Sequence, residues 1–157
     1  MAAFLDIAFA YDPATRRCDL QLGDDGDLLL DETPATAMLI SFGSDRRARE
    51  DDELPSGVSE LNAPATVVER RGWAGDALDI DYRPIGSRLW LLERAKDSSI
   101  ASLMCTEWLK EAFAWAEEET GKSAEIDVTR PHPGRLLQRI RVDGRELRKS
   151  RDIGGLT

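Results

Sequence analysis

Carboxylates next to tryptophans are the side chains of this sequence with the most to offer a reaction: Glu93 follows Trp90, and Glu107 and Glu111 flank Trp108. Glycoside hydrolysis uses two carboxyls about 5–10 Å apart, one of them desolvated enough to keep its proton. Glu107 and Glu111 are one helical turn apart with Lys110 between them, so the sequence favours a solvated helix face for both. A Ser-His or Cys-His site fares worse, because the only histidine, His132, sits among prolines with no nucleophile motif around it. The two cysteines, Cys18 and Cys105, are far apart and lack CxxC spacing, which reads as two reduced, packed thiols. Gly23-Asp24-Asp25-Gly26-Asp27 is rich in calcium-type ligands but lacks the EF-hand order, so a hairpin turn is expected. Gly86-Ser87-Arg88, with Arg83 upstream, could hold an anion at a helix N-terminus. The P-loop spacing is absent, however, and an N-cap explains Ser87 without a ligand. No catalytic residue, cofactor or metal is expected.

The overall balance supports that restraint. Acidic residues outnumber basic ones 30 to 21 in 157 residues, a net charge of −9. Nucleic-acid binding and attachment to an anionic membrane both rest on lysine and arginine, so neither partner is expected. Apolar residues make up 41% of the chain, enough for a core, and no apolar run reaches the length of a membrane span. With no secretory leader at its start, the sequence reads as a cytoplasmic, self-repelling monomer waiting for a specific partner.

The elements that must position these residues form an α+β pattern. An N-terminal antiparallel β-meander runs through Phe4–Phe9, Cys18–Leu22 and Asp27–Leu30. Thr33-Pro34 opens a helix with Thr33 as N-cap, its apolar face carried by Met38, Leu39, Ile40 and Phe42 to about Arg47. A long loop follows, Arg46 to Ala65, broken by Pro55, Gly57 and Pro64. Arg71-Gly72-Trp73 with Gly75-Asp76 is a compact turn in which Trp73 caps the core edge. Ser87 then caps a helix beginning at Arg88, with Leu89 and Leu92 on its apolar side. A second helix runs from Ser98 or Ser99 to about Glu119, ended by Gly121, and Lys96-Asp97-Ser98 joins the two into a helical hairpin. Two strands, Ala124–Thr129 and Leu137–Val142, form a C-terminal β-hairpin completing one sheet. Residues 1–146 are expected as a single domain and 147–157 as a flexible tail.

Three blocks in order carry a family resemblance: Thr36–Phe42 running into Asp45-Arg46-Arg47-Ala48 and Asp51-Asp52, then Arg71-Gly72-Trp73 with Gly75-Asp76, then Ile85–Leu92. Together they resemble the small baseplate protein of Mu-like contractile-tailed phages, over roughly Phe4 to Val142. That family is in turn similar to the wedge proteins of large contractile phages, often called lysozyme-like. The resemblance implies a structural, non-catalytic subunit that joins other baseplate wedge and hub proteins, meets the tail sheath protein and is present in multiple copies. It would assemble in the host cytoplasm and end in the virion tail; a peptidoglycan-degrading enzyme is the alternative.

In distant relatives a Glu-Pro-Arg motif docks on neighbouring wedge subunits. It is absent here, but Arg83-Pro84 stands in a comparable place, so the resemblance carries the docking role to Arg83, Pro84, Gly86, Ser87 and Arg88. On the residues themselves, the final hairpin with Arg135, Arg139 and Arg141 around Ile140 is the candidate edge for a partner strand.

Overall fold

A computed structural model of the chain describes residues 5–12, 14–15, 17–56, 66, 68–81, 83–95 and 99–153. The expected Lys96-Asp97-Ser98 connection, residues 57–65 of the long loop and residues 154–157 lie outside them.

The fold is α+β, as the hydrophobic periodicity implies, with antiparallel strands first and an antiparallel sheet last. Strands β1 (Asp6–Ile7), β2 (Phe9–Asp12), β3 (Arg17–Leu20) and β4 (Leu30–Asp31) pair as β1–β4 and β2–β3. Between them Gly23 donates its N–H to the Asp27 carbonyl at 2.8 Å, and Gly26 takes the positive φ of 81° that the Gly-Asp-Asp-Gly turn calls for.

Helix α1 covers Ala35–Gly43, shorter than the expected run to Arg47. Thr33 does not cap it: its hydroxyl donates to Asp31 at 2.8 Å, and Pro34 occupies the cap position. Arg88–Arg94 form a 3₁₀ helix where an α-helix is expected. The sequence there, Leu89-Trp90-Leu91-Leu92, is buried all the way round, and three residues per turn stack Leu89 under Leu92.

The long helix expected to Glu119 is two, α2 (Ser99–Ala112) and α3 (Trp115–Thr120). At the join the backbone bonds tighten, with Ala116 N–H donating to the Phe113 carbonyl at 3.1 Å. This offset lets the Trp115 indole reach Ser41 of α1 at 2.8 Å. Gly121 ends α3 in the left-handed conformation, as expected.

The C-terminal part is a meander of three strands, β5 (Glu125–His132), β6 (Arg135–Val142) and β7 (Arg145–Asp152), and among the described residues the strands pair in three sheets. Two expectations are thereby corrected. Leu147 to Asp152, which read as tail because Arg145–Asp152 is mostly charged, pair with Arg135 to Ile140 of β6, and Ile153 beyond them is buried. Arg139 and Arg141 lie on the central strand, so their main chain is already paired on both sides. Their side chains form cross-strand ion pairs, Arg141 with Glu146 at 2.6 Å and Glu125 at 3.6 Å, and Arg139 with Glu146 at 4.0 Å.

The buried face of β6 is Leu136, Gln138, Ile140 and Val142, and it closes one core with Leu89 and Leu92 of the 3₁₀ helix and Leu109 and Phe113 of the helical layer. Fully burying each such Leu or Phe contributes roughly 1.5–3 kcal/mol. Of the two thiols, Cys105 is packed in this core, where burial pushes its pKa up, while Cys18 is exposed, contrary to expectation.

One glycine fixes how the loop after α1 meets the 3₁₀ helix. Gly86 has φ +87°, and a Cβ there would collide with the Ser44 carbonyl. Gly86→Ala should therefore lower stability by roughly 3 kcal/mol, strain and clash together, read as a shift in the denaturant midpoint. A loss under about 1 kcal/mol would mean that the 44–46 backbone gives way easily.

Candidate functional site: a turn anchored by a buried arginine

The segment from Asp79 to Arg88 is tied down residue by residue. Asp79 receives the Arg83 N–H at 2.7 Å, which holds its carboxyl below the usual range, and Arg83 also lies 3.2 Å from Asp81. The Pro84 carbonyl accepts from the Arg46 guanidinium at 2.7 Å, and the Ile85 N–H donates to Asp76 at 3.0 Å. Ser87 then pairs its backbone with the strand-like stretch after α1. Its N–H donates to the Ser44 carbonyl at 2.9 Å, and its carbonyl accepts from Arg46 N–H at 3.0 Å. Ser87 stands at the cap position of the 3₁₀ helix without capping it; its hydroxyl donates to the Phe42 carbonyl at 3.3 Å.

Arg88 is buried, 7% exposed. Its guanidinium grips both Asp52 oxygens at 2.8 and 2.9 Å, donates twice to Glu111 at 2.8 and 3.1 Å, and lies 5.6 Å from the Trp108 ring centre. Glu111 also accepts from Arg49 at 2.6 Å and pairs with Arg46 at 3.3 Å. Burial would raise the Glu111 carboxyl, but bonds and charge from Arg88, Arg46 and Arg49 outweigh it, and its pKa is lowered.

A second arginine does the same on the other side. Arg71, itself at φ +50°, stacks 4.5 Å from the Trp90 ring centre and bridges Asp45 at 2.8 Å and Glu93 at 3.0 Å. Trp90 in turn donates its indole N–H to the Arg46 carbonyl at 2.8 Å.

The three sequence blocks thus converge on one another. Of the residues expected to dock a partner, Arg83 and Pro84 are exposed, whereas Gly86, Ser87 and Arg88 are buried and engaged inside the chain. The Arg88 charge is met within the chain by Asp52 and Glu111. Arg139 and Arg141 are elsewhere, on β6.

Glu111, which the sequence offers as a carboxylate on a solvated helix face, is instead the hub of the network. Its signal, a carboxylate four residues after Glu107 and three after Trp108, reads as surface, because nothing local points to the three distant arginines. Glu107 does behave as read, pairing with Lys110 at 2.8 Å. Trp73 departs from its expected core edge: it is 57% exposed, its ring lying over Gly75 where a Cβ would not fit.

Beside the turn opens a cleft of about 1300 Å³, walled by Trp73, Ile85 and Trp115, with Arg46, Arg83 and Glu118 among its polar residues. Among the described residues no group of three histidine, cysteine or carboxylate side chains could hold a metal ion, and no helix is long and apolar enough to cross a membrane.

The site is thus an α+β scaffold in which Arg88 and Arg71 are engaged with carboxylates of the same chain beside an exposed turn and an open cleft. The family model for phage protein GP46 matches residues 34–149, and the chain belongs to that family. It is 37% identical over 108 residues to the baseplate protein gp46 of Escherichia phage Mu, a match spanning 68% of this chain and 66% of that protein. No solved structure matches.

The lowered pKa of Glu111 fixes a sign. A carboxyl depressed in the folded state stabilises above its unfolded value and loses that contribution as pH falls through the folded one. Thermal midpoints should therefore fall more steeply below about pH 4.3 in the wild type than in Glu111→Gln, the gap at neutral pH narrowing with acid. Equal slopes would show that the network is not what ionises Glu111. Arg88→Lys, which cannot fork between two carboxylates, should cost about 3 kcal/mol by chemical denaturation.

Proposed function

We propose that this chain is a structural, non-catalytic subunit of a contractile-tail baseplate, joining wedge subunits around the hub and supporting the start of sheath assembly. The observation that carries the reading is the match across residues 34–149, together with a Mu relative whose own name is a baseplate protein. The kinship with wedge proteins of large contractile phages, and the wedge, hub and sheath partners, belong to this proposal.

The geometry favours contact at the Arg83-Pro84 turn. Both residues are exposed while the residues behind them are locked by Arg46, Asp76 and Ser44. A rigid turn binds with little ordering cost, which suits an assembly contact. Gly86, Ser87 and Arg88 act in this reading as the support that presents the turn. Before assembly the protein is a monomer, kept apart by its net charge of −9; afterwards it lies in the virion tail in several copies.

The muramidase alternative gains no support from Glu111 or Glu93. A general acid needs a raised pKa, and Glu111 is lowered. Glu93 is forked by Arg71 through both oxygens, at 3.0 Å each.

Tails assembled without this protein should lack complete baseplates and sheaths under negative stain, and intact particles would sink the proposal. A chain carrying Arg83→Glu and Pro84→Ala should fold and stay monomeric yet fail to restore assembly. Purified wild-type protein should leave peptidoglycan uncleared; clearing that vanishes in Glu93→Gln would revive the enzyme.

A further inference from the structure

The N-terminal strands carry an apolar face that the chain does not bury. Cross-strand partners share a face, and the pairs here are Ile7 with Leu30, Phe9 with Leu20 and Leu22 with Leu28. The period of two within strands keeps Leu20 with Leu22 and Leu28 with Leu30, so all six side chains form one apolar strip. Such alternation normally marks the face that goes into a core. Here Leu20 is 46%, Leu22 67% and Leu30 54% exposed. A contiguous apolar strip left open on a charged chain marks an interaction surface.

The charge of the same segment says what could cover it. Within the first 32 residues lie eight carboxylates and two arginines, six of the nine net negative charges of the chain. A second copy would bring another six, so like-charge repulsion opposes pairing of this face with itself. Within this segment Phe9 and Cys18 line a groove of about 570 Å³ together with Arg148 and Lys149 of β7. The free part of the strip is therefore Leu20 to Leu30. It also lies outside residues 34–149, the part that matches the family.

We propose that this strip is a second docking surface, for a protein segment whose apolar side chains are flanked by lysine or arginine. From this end of the chain the cleft beside the Arg83-Pro84 turn is walled by Leu5 and Asp6, not by the Leu20–Leu30 part of the strip.

A synthetic peptide alternating leucine and lysine is the probe, with a leucine–glutamate peptide as its counterpart, both titrated against the full-length protein. The leucine–lysine peptide should bind at low salt, weaken as salt rises, and weaken tenfold or more in the Leu20→Ser/Leu22→Ser variant. That variant should keep the wild-type melting temperature, because both side chains are exposed, and Leu22→Met should keep binding. Equal affinity for wild type and double variant overturns the proposal, as does equal binding of the leucine–glutamate peptide. So does light scattering that finds a wild-type dimer dissolved by the two serines, which would make the occupant a second copy. The titration does not depend on tail incorporation, so baseplates found to lack the protein would overturn its baseplate role and leave this result standing.

Discussion

The Arg88 guanidinium could not be buried alone. Taking a guanidinium out of water costs several kcal/mol, and only close, well-directed carboxylates offset it. Asp52 and Glu111 provide them from opposite directions, one from the loop after α1 and one from α2. Both elements must therefore arrive in register for the 3₁₀ helix to sink Leu89 and Leu92 into the core. The apolar burial supplies the stabilisation, and the arginine restricts which arrangement achieves it, because a loop shifted by one residue would leave a charge stranded.

The same logic explains why the loop around Asp45 to Asp52 is ordered although it has few regular elements. Its backbone is borrowed into a strand-like bridge by Ser87, its carboxylates are claimed by Arg71 and Arg88, and its Arg46 closes over the Pro84 carbonyl. Gly86 makes the approach possible because no Cβ stands between it and the Ser44 carbonyl. Rigidity at the exposed turn is thus inherited from charge pairing beneath it. A turn held this way offers a partner a fixed shape, where a free loop would first have to be ordered.

How far this was legible in the sequence depended on the range of the interaction. Alternation of apolar residues found the strands around Phe9, Leu20 and Ile140, and the Leu89/Leu92 spacing found a helical turn, since these are properties of a few neighbouring residues. The stretch from Leu147 to Asp152 is not legible in the sequence, because its main chain does the pairing with β6 and only Leu147 offers an apolar anchor. Thr33 and Ser87 were read as caps on local grounds, and both hydroxyls were taken by other partners. The site divided in the same way. The three blocks around Arg46, Arg71 and Arg88 stood out by their order, but which arginine faces outward was decided by Glu111, a residue 23 positions from Arg88.

Charge is therefore used in two opposite ways along the chain. From residue 33 onward carboxylates and arginines are nearly balanced, 22 against 19 lysines and arginines, and many of them meet inside the network or across β6. The first 32 residues keep an excess of six carboxylates beside apolar side chains that face water. Internal pairing makes a body whose shape is independent of its neighbours; an excess of negative charge beside exposed leucines makes a surface that a cationic, apolar segment would stabilise. On the proposed reading both uses serve one end, since repulsion of like charge opposes self-association without weakening the attraction to a cationic partner.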